Sequence, residues 1–130
     1  MDATGSSPQD RPAIRFKPAQ LGAALAFIGI GLGAFGAHTL ADMLSPARLD
    51  TFQTAVRYQM YHALGLLVIG ALPVQAPRAA LFLFAGSVVF SGSLYLLVAT
   101  DLSWLGAVAP IGGVLQLVGW ALLFVRLSRR

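Results

Sequence analysis

The residues able to do chemistry in this chain crowd into one stretch, RYQMYHALGLL, from Arg57 to Leu67. It sets an arginine, two tyrosines, a glutamine and a histidine directly against an apolar run. On a helix Tyr58 and His62 share one face, and Arg57 and Tyr61 another. Three kinds of chemistry suit such a group. The first is a hydrogen-bonded knot holding helices together, with Arg57 paired to Asp101 or Asp42 and tyrosines in an aromatic belt. The second is a proton or small-solute pathway, since ionisable groups inside a membrane are functional candidates by default. The third is a metal or haem held between His38 and His62 on facing helices. That last reading fits worst, because the chain has no cysteine and no glutamate, and two histidines alone make a poor site. A serine nucleophile fits no better, since neither Ser91 nor Ser93 has an obvious base and carboxylate partner.

Membrane is invoked because of composition. Of 130 residues, 57% are hydrophobic and 11% charged, too little charge to cover a soluble globule. Mean hydropathy is +0.74. The net charge of +4 does not imply nucleic acid as a partner, because the basic residues stand at the ends of apolar segments. Lipid is the partner the composition requires.

The charges mark the elements. Uncharged intervals of 24, 20, 22 and 24 residues separate Lys17, Asp42, then Arg57, Arg78, Asp101 and Arg126. A hydrocarbon core of roughly 30 Å needs about 20 helical residues, so each interval can span it. The second has a polar start and ends in Pro73, Gln75 and Pro77, so its apolar part also fits a buried or re-entrant segment. Basic residues decide for four crossings: Arg11, Arg15, Lys17, Arg78, Arg126, Arg129 and Arg130 then share one side, against Arg48 and Arg57 on the other. The positive-inside rule places both termini in the cytoplasm. A cleaved signal peptide is the weaker reading of the first apolar run, which is too long and glycine-rich. No internal repeat is evident, which weighs against repeat-built transporters.

The expected fold is therefore all-α, an integral membrane four-helix bundle with a short amphipathic interfacial helix between helices 1 and 2. Residues 1–17 form a disordered basic tail, 18–126 the membrane domain and 127–130 a basic tail. The spans fall at about 19–41, 58–76, 78–100 and 103–125. The interfacial helix covers about 46–56, with Ser45 as cap, Pro46 first, and Leu49, Phe52 and Val56 on one face. Taking Asp42, Arg57 and Asp101 as the outer surface, His38 lies about 6 Å, His62 about 7.5 Å and Tyr95 about 9 Å inside. Both histidines thus share a level, with Tyr58 and His62 turned toward His38. Helix packing falls to small residues, Gly29, Gly33 and Gly36 on the first helix, Gly92 on the third, and Gly112 and Gly113 on the fourth. Pro110 should kink the fourth helix, and Gln116 reads as glue between helices.

Four blocks carry a family resemblance: GAFGAHTL (Gly33–Leu40), LSPARLDTFQTAVRYQMYHALGLL (Leu44–Leu67), FSGSLYLL (Phe90–Leu97) and APIGG (Ala109–Gly113). In that order they resemble the small membrane proteins of domain-of-unknown-function family 423, the YgdD/transmembrane protein 256 family. The resemblance runs from about Leu21 to Phe124 and implies a four-helix membrane protein, with no activity to carry over. The family motifs include His38, Arg57, Tyr58, Gln59, Tyr61, His62, Ser91, Gly92, Ser93, Tyr95 and Pro110. Thr39 stands where a glycine is commoner, and Ala109 where a polar residue is. The polar cluster, with Asp101 added from spacing, is intact. The functional expectation is a non-enzymatic structural or accessory protein without a cofactor. It would act alone, with copies of itself, or docked on other membrane subunits. The rival is a small transporter, channel or proton-linked protein using the same cluster.

Overall fold

Prolines open three of the four helices, where their missing N–H costs nothing and their fixed φ suits the first turn. The computed structural model describes residues 17–129 and contains α1 (Pro18–His38), α2 (Pro46–Ala71), α3 (Pro77–Thr100) and α4 (Leu105–Ser128). A short 3₁₀ turn, Leu40–Asp42, follows α1. Ser45 caps α2 by accepting from the Arg48 backbone N–H at 3.3 Å. α3 ends on Asp101, whose φ of 60° is the left-handed conformation that closes a helix. The tail expected over 1–17 falls outside the described residues except for Lys17.

The interfacial helix expected over 46–56 is not a separate element. It forms the first turns of α2, because no glycine or proline interrupts the chain between Pro46 and Gly65. α2 then stops at Ala71 rather than 76, ahead of Pro73, and α1 stops at His38 rather than 41. α4 runs through Ser128 into the expected basic tail and continues as one helix past Pro110.

Successive helices pack antiparallel. Gly22 meets Ala63 and Leu67, Gly29 meets Met60, Gly36 meets Phe52, and Gly70 meets Ala19. α2 therefore runs beside α1 along its whole length. Ser91 on α3 reaches Ala55 on α2, and Gly112 and Gly119 on α4 meet Phe90 and Leu83 on α3. α1 also touches α3, whereas no Cα of α4 comes within 8 Å of α1 or α2. The bundle is an open row folded up-down-up-down, and its two described ends lie on the same side.

α1, α3 and α4 are long and apolar enough to cross a membrane. α2, carrying Arg48, Asp50 and Arg57, falls below that mark, yet it spans the same height between α1 and α3. Its buried residues Phe52, Ala55, Gln59, His62, Leu66 and Ile69 alternate in steps of three and four, the spacing of a helix seam. α4 repeats the rhythm with Leu105, Ala109, Gly112, Gln116, Gly119 and Leu123. The apolar core, including Leu25, Leu66, Ile69, Leu83 and Leu123, fills the half of the bundle nearer the α2–α3 turn. The polar half lies toward the other end.

Lipid offers no hydrophobic drive for helices to meet, so close backbone approach supplies the packing. The small residues divide accordingly. A Cβ on Gly36 would stand 2.6 Å from the Phe52 ring, and one on Gly29 2.7 Å from Met60 Sδ. Gly33 has only Val56 near it, at 3.3 Å. Gly92 and Gly113 face open space and are not packing residues, contrary to expectation. A helix buries one stripe, and both positions fall off the stripe. Pro110 is likewise exposed. On Gly112 a Cβ would fall on the Phe90 backbone. Gly112→Ala should thus cost about 1–3 kcal/mol, read by thermal melting in detergent. Gly113→Ala, one residue on, should be neutral or stabilising by up to about 1 kcal/mol; equal losses would contradict this packing.

Candidate functional site

The seam of α2 places two polar residues where a bundle normally keeps leucines. Gln59 and His62 are each 4% exposed, and a polar group so buried must be bonded or cost several kcal/mol. Gln59 satisfies both ends of its amide. Nε2 donates to the Leu25 carbonyl of α1 at 2.8 Å, and Oε1 accepts from the Tyr95 hydroxyl of α3 at 2.7 Å. The Tyr95 ring is steadied by Phe52, with centroids 5.3 Å apart. One turn away, Ser91 Oγ donates to the Ala55 carbonyl at 2.7 Å. These bonds tie α1, α2 and α3 at one level.

His62 turns the other way. Nδ1–H donates to the Tyr58 carbonyl at 2.7 Å, and Nε2 accepts from Trp120 Nε1–H of α4 at 3.1 Å. A carbonyl can only accept and an indole N–H can only donate, so the two partners fix one neutral tautomer. Gly65 makes room for this contact, since a Cβ there would stand 2.8 Å from Trp120 Cη2. The bond is the polar link between α2 and α4, beside a groove of about 620 Å³ whose walls include Thr54, Tyr58, Phe90 and Gly113.

The cluster expected from sequence is therefore divided. Gln59, Ser91 and Tyr95 come together, and His62 joins Trp120 instead of His38. His38 is exposed at the end of α1. Gly36 lies level with Phe52, which puts His62 about 18 Å of helix rise from the level of His38. The depth estimate failed because it took Arg57 as the surface, whereas α2 begins eleven residues earlier at Pro46. Ser93 bonds the Phe90 carbonyl of its own helix at 2.8 Å. Tyr58 and Tyr61 are exposed, edge to face at 5.6 Å.

Arg57 pairs with neither Asp101 nor Asp42. Its guanidinium bends back along α2 to Thr54 Oγ1 at 3.2 Å and Asp50 at 3.9 Å, with 55% of its side chain exposed. Asp101 is the exposed αL residue ending α3. The arginine that does join helices is Arg48, whose Nη2 donates to the Val98 carbonyl in the last turn of α3. The sequence reading counts Arg48 only as a charge on the outer side and does not single out Trp120. An arginine one turn into a helix beside another helix's last carbonyls was the available signal for the first. Nothing but long-range packing could pair Trp120 with His62.

Gln116 is buried at 5% exposure, and its stem fills the gap left by Gly86, yet its Nε2 bonds nothing among the described residues. It packs helices rather than bonding them. Among the described residues no three His, Cys, Asp or Glu side chains gather in a metal-binding arrangement.

These contacts predict an order among arginines. Arg48→Ala should cost about 1.5–3 kcal/mol, the worth of a hydrogen bond from a charged group. Arg57→Ala should stay within about 1 kcal/mol, because its partners Thr54 and Asp50 lie on its own helix and the pair joins no second helix. Melting curves in detergent check this, and a larger loss at Arg57 would refute it.

Comparison with known proteins agrees with a membrane protein. Residues 32–113 match the model of a protein family of unknown function, DUF423. A UPF0382 membrane protein of Staphylococcus epidermidis is 49% identical over 109 residues, covering 81% of this chain and 89% of the relative. The UPF0382 membrane protein YwdK of Bacillus subtilis is 44% identical over 111 residues, covering 81% and 90%. No solved structure matches. With an all-helical bundle, three apolar spans and relatives this similar, the chain is a membrane protein and belongs to the DUF423 family.

Proposed function

We propose that this protein is a non-catalytic accessory protein of the inner membrane that docks on a partner membrane protein, with both termini in the cytoplasm. The observation that carries this reading is Arg57. It lies eleven residues into α2, about 16 Å of rise from the helix start, on the outside of the bundle. A lipid-facing arginine at such depth is costly, and its bend toward Asp50 is the snorkelling that limits the cost. Exposed Gln53 shares a shallow hollow with Arg57, Gly33 and Val56. A partner helix offering an acceptor would relieve the charge and cover that hollow. The buried polar groups support a structural role for the rest of the cluster, since Gln59, His62, Ser91 and Tyr95 spend their hydrogen bonds inside the bundle.

Crosslinking from a photoreactive residue at position 53 in intact membranes, followed by purification, tests the docking. The expected outcome is one defined adduct with another membrane subunit, lost in Arg57→Ala while the purified variant melts as wild type does. An adduct only with itself would make the partner a second copy, and the absence of any adduct would refute docking.

The transporter reading keeps one supporting feature, the groove beside His62. His62, with both nitrogens engaged, would have to release Trp120 to take a second proton. Proteoliposomes should accordingly show no proton flux above empty vesicles, and a flux abolished by His62→Ala would replace the accessory reading. Orientation is tested by single cysteines added at the two ends, which an impermeant thiol reagent should leave unlabelled in intact cells. The chain's lack of native cysteine makes that readout clean.

A further inference from the structure

The end of the bundle where α3 begins and α4 finishes carries positive charge that no described residue answers. Arg78 on α3 and Arg126 and Arg129 on α4 line one cavity of about 310 Å³. Arg126 and Arg129 are i, i+3 and share a helix face. Arg126 Nε donates to the Gln75 carbonyl at 3.0 Å, which fixes the side chain and leaves its terminal nitrogens for another acceptor. Among the described residues Arg78 and Arg129 make no side-chain hydrogen bond or ion pair. The described acids, Asp42, Asp50 and Asp101, lie at the opposite end of the bundle.

Local helix chemistry sharpens the imbalance. α3 starts without a side-chain cap and without an acid in its first turn, and Arg78 occupies that turn. A cation there opposes the helix dipole, which favours negative charge at this end. The cavity is also two-sided. Leu122 and Val125, a turn deeper on α4, continue it toward the hydrocarbon. Because α3 and α4 are long and apolar enough to cross a membrane and begin and end here, a bilayer spanned by them would set these arginines at the level of its phosphates.

We propose that this cavity binds an anionic phospholipid, with the phosphodiester held by Arg78, Arg126 and Arg129. The start of an acyl chain lies against Leu122 and Val125. Guanidinium forks suit phosphate oxygens, which they can engage bidentately. Basic pockets between membrane helices are suited to such headgroups. The apolar wall favours a lipid over a free phosphate, which would leave Leu122 and Val125 uncovered.

Native mass spectrometry and thermal melting of the purified full chain test this, with phosphatidylglycerol, phosphatidylcholine or inorganic phosphate added to the detergent. Phosphatidylglycerol should remain bound and raise the melting temperature, while the other two should do neither. A variant combining Arg78→Gln, Arg126→Gln and Arg129→Gln should bind phosphatidylglycerol about tenfold or more weakly. Arg129→Gln alone, at the exposed C-cap of α4, should weaken it measurably and carries the test if the triple variant fails to fold. Replacing the three arginines by lysine keeps the charge but removes the forks, and should also lose most of the binding. Lysine binding as tightly as arginine would mean diffuse surface attraction and overturn the site. An equal shift with inorganic phosphate would overturn the lipid assignment, and unchanged binding in the glutamine variants would overturn both.

Discussion

The amide of Gln59 is the interaction on which the arrangement of α1, α2 and α3 depends. One small planar group donates to a backbone carbonyl on α1 and accepts from a tyrosine hydroxyl on α3. It does so from a seam position of α2 that is almost fully buried. In water the three helices would be gathered by their apolar faces. In lipid that drive is missing, so a bonded polar group and close backbone contact must replace it. The amide also fixes rotation, because turning α2 by one residue would strand both of its ends in hydrocarbon.

Glycine and polarity divide the labour between helix pairs. α1 approaches α2 through glycines seven residues apart, Gly22, Gly29 and Gly36, with Leu25 between them. That spacing returns to the same face every two turns, and it brings the Leu25 carbonyl within reach of Gln59. α3 and α4 meet through Gly86, Gly112 and Gly119, where their backbones approach closely. α4 is tied to α2 by the Trp120–His62 hydrogen bond rather than by close backbone approach, which leaves the row open on that side beside the groove. The polar half of the bundle is thus the half where three helices must be kept in register. The apolar half, around Leu66 and Leu83, is held mainly by packing, with the Arg126–Gln75 hydrogen bond at its end.

Much of this was legible in the sequence. Uncharged intervals gave the four helices and Pro77 the start of α3, whereas Ser45 and Pro46, read as opening a separate interfacial helix, in fact open α2. Gln59, Ser91 and Tyr95 come together because they lie near the same end of antiparallel helices. Three things were not legible. The continuity of α2 was hidden by Arg57, which looks like a membrane boundary but bends back toward the surface from deeper in the helix. That error carried His62 to the wrong level and toward the wrong partner. The roles of Gly92 and Gly113 depended on helix rotation, and a count of small residues cannot say which of two adjacent glycines faces a neighbour. Trp120 and Arg48 were missed because their acceptors lie 58 and 50 residues away in sequence.

The most direct test of the central role of Gln59 is a double-mutant cycle in detergent or lipid nanodiscs, combining Gln59→Leu with Tyr95→Phe. Unfolding free energies of the two single variants and the double variant give the coupling between the groups. A buried hydrogen bond between membrane helices should yield a coupling of about 0.6–1.7 kcal/mol, with each single variant less stable than wild type. Strictly additive losses, or a Gln59→Leu variant as stable as wild type, would contradict the claim that this amide holds the helices in register.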